Sequence, residues 1–230
     1  MRRKKDRLVV ITGAGSGIGA ALAGEAARAG ARLILAGRRK EALEETAAHL
    51  PASCAPILVQ ADITKAEGRT AIAEAVAGAG SKLDILINNA GAVRTGSIAG
   101  MTEAAVMEML QTNLAAPLLL SRDLLPFLKR AAAPRIVNVG SMFGDIAFPL
   151  FAAYSATKFG LRGLSDALRR ELAPDGVGVT YAAPRAVRTP AAQSFEELVE
   201  PFAMQLDDPA KVARRIWRAA EKQKRSVYPA

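Results

Sequence analysis

The chain has 230 residues, half of them hydrophobic and 23% charged, enough to bury a substantial core in one large domain or two small ones. Its net charge of +9 suits anionic ligands. However, aromatics make up only 5% of residues and no basic stripe is interleaved with them, so nucleic-acid binding is set aside as the main role. A single histidine, His49, and a single cysteine, Cys54, exclude an intrachain disulfide and a His/Cys zinc cluster, and no metal is expected.

Residues 1–7 read as a basic, flexible, solvated tail. The apolar run Leu8–Ile11 is too short for a signal peptide or a membrane span, and with one cysteine the expectation is a cytoplasmic protein with no membrane association. Leu8–Ile11 reads as a strand. It runs into Thr12-Gly13-Ala14-Gly15-Ser16-Gly17-Ile18-Gly19, then an alanine-rich helix to about Ala29, then a second strand, Ala31–Ala36. Strand, glycine-rich turn, helix and strand within about 30 residues form the βαβ unit that binds a dinucleotide. The glycines let backbone N–H groups and a helix N-terminus approach a pyrophosphate closely.

Gly37-Arg38-Arg39-Lys40 follows the second strand, where this unit meets the adenosine ribose. An acidic residue there would bond the ribose hydroxyls and repel a 2′-phosphate. A guanidinium does the reverse, so Arg38, with Arg39 beside it, points to NADP(H). The same residues also fit the solvated start of a helix, Glu41–His49.

The alternation continues. Ile57–Val59 is a third strand leading to Asp62-Ile63, with a helix over Lys65–Ala79. Leu83–Ile87 is a fourth strand, ending in Asn88-Asn89-Ala90-Gly91. A long helical stretch runs from Thr102 to about Arg130, holding Asn113 and interrupted by Pro117. Arg135–Gly140 is a fifth strand, ending at Ser141. A helix covers Ala152–Leu172, and Gly178–Ala182 is a sixth strand before Pro184–Pro190. Pro209–Lys222 is a last helix, with a seventh strand beginning at Ser226. No linker divides residues 8–230, which are expected to form one domain: a doubly wound parallel sheet, Rossmann-like, in three layers α/β/α. Ligands then bind at the carboxyl ends of the strands, where Gly13–Gly19, Arg38, Asp62, Asn88–Gly91, Ser141 and Pro184–Thr189 all fall.

The helix over 152–172 carries Tyr154 and Lys158, four residues apart and so on one face. An ammonium beside a phenol favours the phenolate, and a phenol tuned in that way can exchange a proton with a carbonyl or an alcohol near neutral pH. By itself the spacing better fits a solvated lysine and a half-buried tyrosine that never meet.

With these motifs in this order, the chain resembles the short-chain dehydrogenase/reductase family in its compact single-domain form, from about Leu8 to the end. The resemblance rests on Thr12-Gly13-x-x-x-Gly17-Ile18-Gly19, Asp62, Asn88-Asn89-Ala90-Gly91, Asn113, Ser141 and Tyr154-x-x-x-Lys158, with Ser141 thirteen residues before Tyr154. It implies an NADP(H)-dependent oxidoreductase that moves a hydride between nicotinamide and a carbonyl or secondary alcohol. Tyr154 would be the general acid or base, and Ser141 would steady the substrate oxygen. Lys158 would lower the Tyr154 pKa and hold the nicotinamide ribose, and Asn113 would anchor a water that relays protons. Asp62 and Ile63 would contact adenine. Thr12, Gly13, Gly15, Ser16, Gly17, Ile18 and Gly19 would form the phosphate turn, and Asn89, Ala90 and Gly91 would line the cleft. Val187 and Thr189 would hold the carboxamide, with Pro184 also at the cofactor. A 3-oxoacyl-carrier reductase and a nucleotide-binding regulatory protein without turnover remain alternatives.

Two departures stand out. The family's usual Pro-Gly after the sixth strand is Pro184-Arg185 here, which would alter ring binding, favour an anionic substrate or leave the loop unchanged with the arginine in solvent. The chain also stops soon after the seventh strand, so the family expectation is a homodimer, with a tetramer still open. Met142, Phe143, Phe148, Leu150 and Phe151, together with an amphipathic cover over 191–206, hint at a small apolar carbonyl or alcohol substrate.

Overall fold

The computed structural model describes residues 6–229. The expected basic tail therefore lies outside the described residues over 1–5. Seven strands form one parallel sheet: β1 (Leu8–Thr12), β2 (Arg32–Gly37), β3 (Ile57–Gln60), β4 (Ile85–Asn88), β5 (Arg135–Val139), β6 (Gly178–Ala182) and β7 (Ser226–Val227). Their order across the sheet is β3-β2-β1-β4-β5-β6-β7. The strand order reverses between β1 and β4, which opens a crevice at their carboxyl ends.

The central strands β1, β2, β4, β5 and β6 are buried on both sides, and alternate residues serve different cores. Val9, Ile11, Leu33 and Leu35 pack with α1 (Gly17–Arg28) and with α8 (Pro209–Glu221) through Leu22, Val212 and Trp217. Leu8, Val10, Ile34 and Ala36 pack on the other face against α3 (Ala66–Gly78) and α5 (Ala116–Leu128), through Ile72, Leu120 and Leu124. This pattern explains the continuous apolar runs of the strands, because a parallel sheet covered on both faces has no polar side. Helix α2 (Lys40–Ala48) covers the β2–β3 end, and α6 (Ala152–Glu171) packs beside β6. Helix α8 starts where Asp208 accepts hydrogen bonds from the N–H groups of Ala210 and Lys211, with Pro209 at the first helical position.

The long helical stretch around Asn113 differs from the expected interruption at Pro117. Helix α4 (Glu103–Leu110) runs through a π-helical segment, Gln111–Ala115, directly into α5. Pro117 is accommodated at the second position of α5 instead of breaking the run. The cover over 191–206 is not one amphipathic helix either. It is a 3₁₀ segment, Pro190–Phe195, and a single turn, α7 (Glu196–Val199), followed by coil. Pro201, which has no N–H to donate, stands just past that turn. Among the described residues, no helix is long and apolar enough to cross a membrane.

Candidate active-site cleft

The carboxyl ends of β1 to β6 open into one cleft of about 1400 Å³. At its start lies the turn after β1. An added Cβ on Gly19 would sit 2.1 Å from the Gly13 carbonyl oxygen, and Gly13 itself has a φ of +63°. The turn can therefore close on itself only with glycine at these places. Gly13, Gly15, Ser16, Gly17 and Ile18 line the cleft. Ser16 is the N-cap of α1 but makes no side-chain capping bond. The first-turn N–H groups of α1 are thus available to an anion.

Thr12 and Gly19 do not line the cleft; they build it. Thr12 is fully buried, and its Oγ1 accepts from the N–H groups of Asn89 (3.0 Å) and Ala90 (3.1 Å). Asn89 Nδ2 donates back to the carbonyls of Thr12 (2.9 Å) and Gly13 (3.2 Å). These bonds hold the ends of β1 and β4 in register on either side of the crevice.

Arg38 and Arg39 follow β2, are exposed and line the same cleft together with Lys65, Asp62 and Ile63. Burial pushes the Asp62 carboxyl up, but hydrogen bonds from the Thr64 hydroxyl and N–H, with the charges of Arg38 and Lys65, hold it below the usual value. This end of the cleft therefore carries three cations against one carboxylate.

At the other end stand Ser141, Tyr154 and Lys158. Ser141 Oγ accepts from Phe143 N–H at 3.1 Å, which fixes its side chain at the start of a short 3₁₀ turn, Met142–Gly144. Helix α6 places the Lys158 Nζ 5.6 Å from the centre of the Tyr154 ring and 3.2 Å from the Val139 carbonyl oxygen, to which it donates. Burial pushes the Tyr154 phenol up to about 12, partly opposed by its hydrogen bond with Ser141, and burial pushes the Lys158 ammonium down to about 8. Desolvation thus outweighs the expected pull of the ammonium on the phenol. The Tyr154 phenol is therefore held in its neutral form at pH 7.

Asn113 is fully buried behind this end. Its Oδ1 accepts from Ala92 N–H (2.8 Å), and its Nδ2 donates to the Ala92 carbonyl (2.8 Å) and to Thr157 Oγ1 (3.1 Å). The side chain is spent on holding the Gly91-Ala92 loop against α6. Residue 117, four positions on, is proline and has no N–H to offer the Asn113 carbonyl.

Pro184, Val187 and Thr189 line the cleft beside Ala90 and Gly91. Arg185 also lines it, with φ outside the left-handed region, so the loop accepts a side chain there without strain. The guanidinium turns neither freely to solvent nor into the cleft as a lone charge. It forms a fork with Asp207, Nη2–Oδ1 2.8 Å and Nε–Oδ2 3.2 Å.

Two positioning residues carried no local signal in the sequence. Tyr181, on β6, is buried and donates its hydroxyl to the Ser141 carbonyl oxygen at 3.1 Å. Its ring fills the space that a Cβ on Gly140 would need. Thr157, next to Lys158, receives the Asn113 amide. Both lie one or more strands or helices away from their partners, so only the folded chain joins them.

The short chain dehydrogenase family profile matches residues 7–199. The uncharacterized oxidoreductase YxnA of Bacillus subtilis is 32% identical over 99% of this chain, which spans 66% of that protein's length. A short-chain dehydrogenase/reductase from Burkholderia phymatum in complex with NAD superposes with a TM-score of 0.92 at 25% identity, covering 99% of this chain and 90% of the other. A short-chain dehydrogenase from Sphingobium yanoikuyae in complex with NADPH superposes with a TM-score of 0.84 at 28% identity, covering 96% and 87%.

Proposed function

This chain belongs to the short-chain dehydrogenase/reductase family, and from that premise we propose that it is an NADP(H)-dependent reductase of carbonyl compounds, reversible towards secondary alcohols, with Tyr154 as the proton donor. The observation that carries this reading is a single cleft with a glycine cradle and free cations at one end and Ser141, Tyr154 and Lys158 at the other.

The residues fit a dinucleotide. Gly13 to Ile18 and the start of α1 would hold the pyrophosphate, with Asp62 and Ile63 beside the adenine. Arg38 would fork onto the 2′-phosphate with Arg39 beside it, since the Asp62 carboxylate that feels the Arg38 charge is engaged by Thr64. Asn89, Ala90, Gly91, Pro184, Val187 and Thr189 would line the nicotinamide half. A nicotinamide bound there supplies or accepts the hydride. Relatives with NAD and with NADPH both superpose on the chain, so the preference for the phosphorylated form rests on Arg38.

The protein's own part is placement and proton transfer. Ser141 bonds the carbonyl oxygen and supports the charge that develops on it. Tyr154, neutral at pH 7, gives that oxygen its proton. Lys158 stays mostly protonated at pH 7 and holds a ribose hydroxyl near the phenol. The Asn113 carbonyl accepts from a water that returns protons from solvent. The apolar faces of Leu118 and Phe159, exposed on α5 and α6, support a homodimer, which light scattering would test.

Titration with NADPH and NADH, read by nicotinamide fluorescence, tests the cofactor. Arg38→Ala should weaken NADPH by about 10- to 100-fold, the worth of a charged hydrogen bond, and leave NADH unchanged. Wild type binding NADH as tightly as NADPH would sink the NADP assignment. Tyr154→Phe should keep nucleotide affinity and lower kcat by about 10²- to 10⁴-fold. A variant that keeps a substantial share of kcat would remove Tyr154 from the mechanism.

A further inference from the structure

We propose that the substrate end of this cleft selects neutral carbonyl compounds with an aromatic ring, gripped between phenylalanines of the floor and phenylalanines of the cover; this rests on the proposed reductase reading. The chain has seven phenylalanines, and five of them line this one region: Phe143, Phe148, Phe151, Phe195 and Phe202. Three come from the floor between Ser141 and Tyr154. Two come from the cover, and they meet the floor edge to face: Phe148 with Phe202 at 4.9 Å between ring centres and Phe151 with Phe195 at 5.9 Å. Phe143 and Phe151 each lie 6.3 Å from the Tyr154 ring, so the aromatic surface reaches the proposed proton donor. A ring that enters here exchanges these contacts for equivalent ones on both sides, which a saturated chain does not reproduce.

Charge points the same way. The cations that line the cleft near β2 and β3, Arg38, Arg39 and Lys65, face the nucleotide end. At the substrate end, Arg185 is forked onto Asp207 and Glu108 is paired with Arg94 at 3.0 Å. Lys158 is directed at the Val139 carbonyl. Among the described residues, the only unpaired cation at this end is Lys158, which the proposed mechanism commits to the ribose, so an anionic substrate would find little to offset its desolvation among apolar rings. Arg185, where the family usually has glycine, therefore closes the cover through Asp207 instead of recruiting an acid.

The test uses NADPH-loaded Tyr154→Phe, so that binding is read without turnover. Calorimetry would measure methyl phenyl ketone, methyl cyclohexyl ketone and a phenyl-bearing 2-oxo acid. The phenyl ketone should bind about 3- to 10-fold more tightly than the cyclohexyl one, the range of an aromatic pair, and the 2-oxo acid at least 10-fold more weakly. Phe148→Ala and Phe202→Ala, placed in the same background and checked for intact NADPH binding as a sign of folding, should each erase the phenyl preference. Equal binding of the two ketones, or tighter binding of the acid, overturns the inference. Selective phenyl-ketone binding with no turnover of any ketone by wild type would keep this inference and overturn the reductase reading instead.

Discussion

Arg185 and Asp207 form a two-pronged ion pair that ties the loop after β6 to the segment behind the cleft's cover. The backbone repeats the link. Asp207 N–H donates to the Ala186 carbonyl (2.8 Å), and Arg188 N–H donates to the Asp207 carbonyl (2.9 Å). The cover, residues 190–206, is thus anchored at both ends. Arg185→Gly should change the thermal midpoint little, because the guanidinium is solvent-exposed and the backbone bonds of Asp207 remain. It should speed proteolysis within 190–206 severalfold and raise KM more than it lowers kcat. Unchanged cleavage would mean that the backbone bonds alone hold the cover.

Lys158 is a buried cation, and its stability cost depends on pH. Its folded pKa of about 8 lies below the unfolded value near 10.5. The unfolded chain therefore binds more protons between those limits, and stability rises with pH across that window. The cost at pH 7 is on the order of 3 kcal/mol, offset in part by the bond to Val139. Lys158→Met should therefore abolish turnover yet unfold at a higher temperature than wild type at pH 7. The gap should close as the pH approaches about 10.5. A constant gap across that range would show that the lysine is not desolvated as described. Tyr154 acts in the opposite sense: with its folded value near 12, stability falls as the pH rises from about 10 to 12 in both proteins.

Gly19→Ala puts a methyl group against the Gly13 carbonyl and within 2.6 Å of the Asn89 amide. Neither can retreat without opening the β1–β4 crevice. The expected outcome is a loss of about 1–3 kcal/mol in stability and loss of nucleotide binding. Chemical unfolding and the fluorescence titration would check both. Wild-type affinity in the alanine variant is the result that would contradict the tight-turn argument.

Asn113→Ala leaves the Ala92 N–H and carbonyl without their side-chain partners at a half-buried position of the cleft wall. The cost should be about 2–4 kcal/mol, read as a lower urea midpoint with an unchanged slope. Catalysis should fall as well, since the Gly91-Ala92 loop lines the nicotinamide half. A change under about 1 kcal/mol would mean that water replaces the side chain freely.

The fold was legible in the sequence because its signals are local. Apolar runs such as Val9-Val10-Ile11 and Leu33-Ile34-Leu35 need only a two-sided sheet to explain them. Thr12–Gly19 is a turn whose geometry only glycine allows. Tyr154 and Lys158 could be put on one helix face from their spacing, but grouping them with Ser141 took the order of motifs along the whole chain. Arg38 was readable as the first of three basic residues at a place where an acid could stand.

What the sequence could not determine was pairing at a distance. Asn113 reads equally as a water anchor or a helix kink until the fold sets Ala92 and Thr157 against its amide. Arg185 reads as a change in ring binding, a ligand for an acid or a solvated side chain until Asp207, 22 residues on, is brought beside it. The phenol of Tyr154 reads as lowered by Lys158 until burial is known, and burial raises it. Each of these outcomes depends on which groups share a desolvated volume. That is a property of the packed chain and leaves no mark on the residues one at a time.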